Sequence, residues 1–110
     1  MKSLSKLIVA ASIAAPAAAF AVTPITYTCE DGQSIQVAYP DHFHAIVIQN
    51  DDVALLKHAI SASGARYVGG GWQWWGKGMN EGTLSTIKEG EAVASDKGRF
   101  CRVPAAAAQQ

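Results

Sequence analysis

Turn signals recur about every ten residues along most of this chain, and that spacing limits the fold more than any other feature. Glu30-Asp31-Gly32, Pro40-Asp41, Asn50-Asp51-Asp52, Asn80-Glu81-Gly82, Glu89-Gly90-Glu91 and Asp96-Lys97-Gly98 each break the chain with residues that favour tight turns. The stretches between them are short and rich in β-branched and aromatic residues. Ile25-Thr26-Tyr27-Thr28-Cys29 alternates apolar and polar positions, as a half-buried strand does. Ile35, Val37 and Tyr39 repeat the pattern, and Phe43–Gln49 holds the run Ile46-Val47-Ile48. Val53–Ile60 also fits a helical face, but its eight residues between hairpins favour a strand. Ala65–Val68, Gly71–Trp75, Thr83–Lys88, Ala92–Ala94 and Arg99–Val103 complete the series. A meander of about eight short strands manages its edges best by closing on itself. The fold class expected is therefore all-β, a small antiparallel β-barrel.

The first 21 residues read as an address. Lys2 and Lys6 precede the apolar run Leu7–Ala15, and Ala19-Phe20-Ala21 fits a small-x-small cleavage site, so residues 1–21 are expected to be a signal peptide cleaved after Ala21. The run is too short for a membrane anchor, and no cysteine follows it in a lipobox-like setting. The mature chain is expected in a periplasm without a membrane anchor, as a barrel domain over 22–104 and a flexible tail over 105–110. Removing Lys2 and Lys6 leaves seven basic against nine acidic residues, a net charge of −2. No nucleic-acid footprint is present in that balance. The only cysteines, Cys29 and Cys101, stand near the two ends of the mature chain. In an exported protein they are expected to form one disulfide.

The stretch Ser61–Gly78, SASGARYVGGGWQWWGKG, holds all three tryptophans and six of the ten glycines. Glycine permits tight corners and close backbone approach, while Trp and Tyr supply rigid contact area. Those are ingredients of a recognition surface. Ser63-Gly64-Ala65-Arg66-Tyr67 and, further on, Lys77-Gly78 resemble the paired Ser-Gly-x-x-Tyr and Lys-Gly motifs of the MliC/PliC family, inhibitors of c-type lysozyme. The resemblance extends over about residues 27–103. It implies a barrel whose Ser63 and Lys77 loops enter the lysozyme cleft and engage its two catalytic carboxylates. Gly64, Gly78, Tyr67, Arg66 and Trp75 are the accompanying partner-binding candidates, with Tyr67 facing inward and Arg66 toward the partner or a neighbouring acid. Gly76 departs from the pattern, since relatives often carry Thr or Ser before the Lys-Gly. The sequence leaves the oligomeric state open, a homodimer included.

Other function classes are weaker. Trp72 and Trp74 share a strand face and, with Trp75, would suit a carbohydrate- or cell-wall-binding module if exposed, the alternative being barrel core with one or two rim contacts. Asp41-His42-Phe43-His44, with His58 across a hairpin, has two histidines at strand spacing but no further ligand, so no metal site and no cofactor are expected. No nucleophile elbow accompanies Ser63, and nothing supplies an oxyanion hole, so no catalytic residue is assigned.

Overall fold

A computed structural model describes residues 22–105. Eight strands follow in chain order: β1 (Ile25–Cys29), β2 (Ser34–Asp41), β3 (His44–Gln49), β4 (Asp52–Ala59), β5 (Ala65–Gly69), β6 (Trp72–Lys77), β7 (Glu81–Thr86) and β8 (Arg99–Arg102). Each is antiparallel to its sequence neighbours, and β8 returns to β1, so the sheet closes into a barrel. Cys29 and Cys101 face each other across that closing pair and are disulfide-bonded. The expected fold class, strand number and pairing of the cysteines all hold. The signal peptide and the tail beyond Ala105 lie outside the described residues.

Alternation along the strands decides which side chains fill the barrel. Tyr27, Ile35, Val37, Val47, Leu56, Trp74, Leu84 and Cys101 point inward and form the core. Trp74 lies at its centre, edge-on to Tyr27 with ring centroids 5.0 Å apart. Gly82 makes that possible, because a Cβ there would sit 2.5 Å from the indole ring. Burying one such indole contributes on the order of 4–6 kcal/mol of transfer free energy.

Two expected elements differ. No strand forms at Ala92–Ala94; Ile87–Gly98 is an irregular connection laid over the outer wall. It is held by side chains instead of a ladder. Asp96 accepts from the Thr86 amide and hydroxyl at 3.2 and 2.8 Å, and Ala92 offers its carbonyl to Arg66. The β6–β7 turn is also earlier than Asn80-Glu81-Gly82, because Gly78 takes a φ of +65° and Lys77 already pairs with Glu81. Lys77 thus ends a strand and does not float in a loop.

The two barrel mouths are closed differently. At one, Arg99 reaches across to Gln49 and to Asp31, 3.0 Å away. At the other, the inward-facing aromatic rings of Tyr39, Tyr67 and His58 gather, with Tyr67 5.8 and 5.5 Å from its two neighbours. The turns that carry the motifs of interest surround this second mouth.

Candidate functional site

The up-and-down order places the β2–β3, β4–β5 and β6–β7 turns at the same end. Ser63 and Gly64 lie in the β4–β5 turn, and Lys77 and Gly78 at the end of β6. The two motifs meet in space because β5 and β6 are neighbours, with Ala65 opposite Gly76 and Arg66 opposite Trp75. Ser63 and Lys77 line one groove of about 460 Å³ on the outer wall, floored by Gln73, Trp75 and Ser85 and edged by Lys97.

Glycine at 64 is required twice. Its φ is +69°, and a Cβ would meet the Gly76 carbonyl oxygen at 2.5 Å and the Trp75 indole nitrogen at 3.2 Å. That close approach seats the Ser63 turn against β6. Trp75 Nε1 donates to the Ser63 carbonyl at 2.8 Å, and the Ser61 hydroxyl donates to the Gly64 carbonyl at 3.2 Å. Ser61 thus clips the turn, and no hydrogen bond to the Ser63 hydroxyl is present among the described residues. Lys77 is exposed and, among the described residues, joins no ion pair.

Tyr67 is buried and faces inward, as expected from its alternation with Arg66. Arg66 donates within its own chain and, among the described residues, pairs with no acid. Nε donates to Gln73 Oε1 at 2.8 Å, Nη1 to the Ile60 carbonyl at 3.2 Å and Nη2 to the Ala92 carbonyl at 2.9 Å. Its guanidinium carbon stands 5.7 Å from the Trp75 ring centroid. Beneath it Gln73 and Ser85, only 6% and 5% exposed, bond to each other at 3.4 Å. Arg66 and Trp75 therefore tie the Ser63 turn, β6 and the β7–β8 connection into one unit.

The Lys77 turn is anchored from inside. Tyr27 Oη donates to the Met79 carbonyl at 2.7 Å, and Trp74 Nε1 donates to Tyr39 Oη at 2.8 Å. Burial pushes the Tyr27 phenol well above its ordinary range, so it stays a neutral donor. Sequence reasoning missed Tyr27, Ser61 and the Gln73–Ser85 pair as parts of this site. Only the alternation of Ile25–Cys29, which faces Tyr27 inward, carried any signal of the first, since a contact across 52 residues leaves no local trace.

The sugar-stacking surface does not form. Trp74 is fully buried, Trp72 packs on the core, and only Trp75 lies on the outer face, under Arg66. Two of the three histidines are engaged locally: His44 Nδ1 bonds Asp41 at 2.9 and 3.0 Å, and His58 stacks edge-on to Tyr67. Among the described residues no group of three His, Cys, Asp or Glu side chains is placed to hold a metal ion.

The sequence model of a family described as "Membrane-bound lysozyme-inhibitor of c-type lysozyme", MliC, matches residues 27–92, more than half of the chain. The chain belongs to the MliC family. It is 38% identical over 76 residues to a membrane-bound lysozyme inhibitor of C-type lysozyme from Cupriavidus necator, covering 66% of this chain and 60% of that one. It is 37% identical over 71 residues to a protein of the same name from Pseudomonas aeruginosa, covering 61% and 56%. The chain thus spans about three fifths of the length of these relatives. In fold it is similar to Pseudomonas aeruginosa MliC, solved in complex with hen egg white lysozyme, with a TM-score of 0.52 at 21% identity, covering 93% of this chain and 97% of that one. The MliC family is one of enzyme inhibitors and not of enzymes. The relatives' names include "membrane-bound", whereas no helix of the described residues is long and apolar enough to cross a membrane.

Proposed function

We propose that this chain inhibits a c-type lysozyme by seating the Ser63 and Lys77 turns in the enzyme's cleft. The observation that carries the reading is that a hydroxyl and an ammonium, neither hydrogen-bonded nor ion-paired among the described residues, line one groove of the outer wall from turns that share a barrel end. Its sequence relatives are named inhibitors of C-type lysozyme, and the structural neighbour was solved bound to hen egg white lysozyme, which gives the partner its class. Such a glycosidase works with two carboxylates, one kept protonated in an apolar pocket and one ionised. The Lys77 ammonium pairs with the ionised group and favours loss of the proton from the other, while Ser63 hydrogen-bonds beside it. The turns also exclude the polysaccharide. Gly64, Gly78 and Tyr67 shape the two turns, and Arg66 and Trp75 brace them.

We further place the mature chain in the periplasm, exported by residues 1–21 and free of a lipid anchor, where it protects the cell wall against a host's lysozyme. Recovery in osmotic-shock fluid and not in the membrane pellet checks the placement. For the activity, purified oxidised residues 22–110 are titrated against lysozyme turning over bacterial cell walls. Stoichiometric loss of turnover is expected. Lys77→Ala is expected to weaken it by about 2–5 kcal/mol, the cost of truncating one partner of a buried charge pair, or about thirtyfold and upward. Full inhibition by Lys77→Ala would sink the mechanism.

A further inference from the structure

Resting on the lysozyme reading, we propose that the docking face has a third element, the β2–β3 turn, and that Phe43, Ile60 and Met79 form an apolar ring around Ser63 and Lys77. The three belong to three different turns, and the antiparallel order puts all three turns at one end of the barrel. Phe43 is 67% exposed, Ile60 92% and Met79 54%. The short turns of the opposite end, at Glu30–Gln33, Asn50–Asp51 and Gly70–Gly71, carry polar residues and glycine only. Chance exposure of single apolar residues is ordinary. Val53 and Leu55 are exposed along β4 and Val93 in the β7–β8 connection. Phe43, Ile60 and Met79 differ in standing on the three turns that share the candidate site's end, where a partner would meet them together.

The third turn is adjacent to the other two and is built to hold its shape. A cavity of about 480 Å³ is shared by Asp41 and His42 of the β2–β3 turn, Ala65 of β5, and Gly76, Gly78 and Met79 of the lysine turn. Asp41 accepts from the Phe43 amide at 2.7 Å and pairs with His44, while the Phe43 carbonyl accepts from the His58 amide at 2.7 Å. The backbone beneath the exposed ring is therefore pinned on both sides. A pre-ordered aromatic loses little conformational entropy on binding.

The chemistry of the face selects its occupant. The turns that carry the ammonium and the hydroxyl share their barrel end with the exposed apolar side chains, an arrangement that complements a concave surface with carboxylates on its floor and apolar walls. A glycosidase cleft whose acid is kept neutral by an apolar pocket has that character. Closing the ring on the walls removes water, and an ion pair in lower dielectric is stronger.

The test compares inhibition constants of Phe43→Ser, Ile60→Ser and Lys77→Ala against hen-type lysozyme, with Leu55→Ser as control and thermal melting of each. Leu55 is likewise exposed, at 58%, but on the outer wall of β4. Phe43→Ser and Ile60→Ser are expected each to weaken inhibition about tenfold, mainly through faster dissociation, at an unchanged melting temperature. Leu55→Ser is expected to inhibit like the unsubstituted chain. If Lys77→Ala loses inhibition while both ring variants keep it, the ring is refuted and the lysozyme reading stands. Equal loss in Leu55→Ser refutes the ring as well. If the unsubstituted chain neither binds nor inhibits, the lysozyme reading falls and the ring falls with it.

Discussion

Arg66 occupies one of the two unspecified positions of Ser-Gly-x-x-Tyr, yet it organises more of the site than the residues that define the motif. Three of its five N–H donors reach Gln73, the Ile60 carbonyl before the Ser63 turn, and the Ala92 carbonyl 26 residues away. Hydrogen bonds from a charged donor contribute about 1.5–3 kcal/mol each when they are well shielded. Part of that is returned here by water at the exposed carbonyls. Arg66→Met is therefore expected to lower unfolding free energy by about 2–3 kcal/mol, read from the denaturant midpoint, and to weaken inhibition by loosening the turn. Arg66→Lys restores little, because one ammonium cannot copy a planar fork with three separated acceptors. A midpoint unmoved in Arg66→Met would show that the network is ornamental. Little in the sequence around Arg66 announces this, since two of its three acceptors are backbone carbonyls that every residue possesses.

Among the elements, the β7–β8 connection Ile87–Gly98 departs most from its sequence pattern. Ala92-Val93-Ala94 after a glycine turn has strand composition, but a strand needs a partner with free ladder groups. Here β7 is already paired on both sides, by β6 and β8. The connection lies instead across the outer wall and is fastened by Asp96 to Thr86, with the Ser95 amide on the Thr86 carbonyl at 2.7 Å. The Thr86 hydroxyl and then its amide hold the Asp96 carboxyl below its ordinary value of 3.8. The Asp41 carboxyl is likewise lowered, first by His44 and then by the Phe43 amide. A lowered carboxylate contributes stability above its unfolded value and loses it as pH falls through the folded one. Asp96→Ala is thus expected to melt slightly below the unsubstituted chain at neutral pH, with the gap narrowing as pH drops below the ordinary carboxylate value. A gap that widens in acid would overturn the assignment.

At the scale of the whole molecule, the barrel is closed at its weakest seam. β6 and β7 pair from Trp72–Thr86 to Lys77–Glu81, but β1 meets β8 only through Thr28–Arg102 and Cys29–Cys101. The disulfide sits on this shortest ladder and closes a separation of 72 residues, a constraint of about 4 kcal/mol in the chain-entropy model. The double variant Cys29→Ser, Cys101→Ser is expected to lose about that much stability and to show its fastest amide exchange in β1 and β8. Uniform exchange across all strands would argue against a seam. What the sequence by itself determined is local and periodic. Turn residues and period-two alternation set the order of the eight strands that form and the inward face of Tyr67, and the signs of export set the use of both cysteines. The two motifs named the turns. Which Trp is core was left to the tertiary structure, because Trp72, Trp74 and Trp75 look alike until the parity of β6 and the space at Gly82 are known. So were the bracing of Ser63 by Arg66 and Trp75, the anchoring of Lys77 through Tyr27, and the gathering of Phe43, Ile60 and Met79 on one end. Each depends on contacts between residues far apart in the chain, which exist only once the sheet has closed.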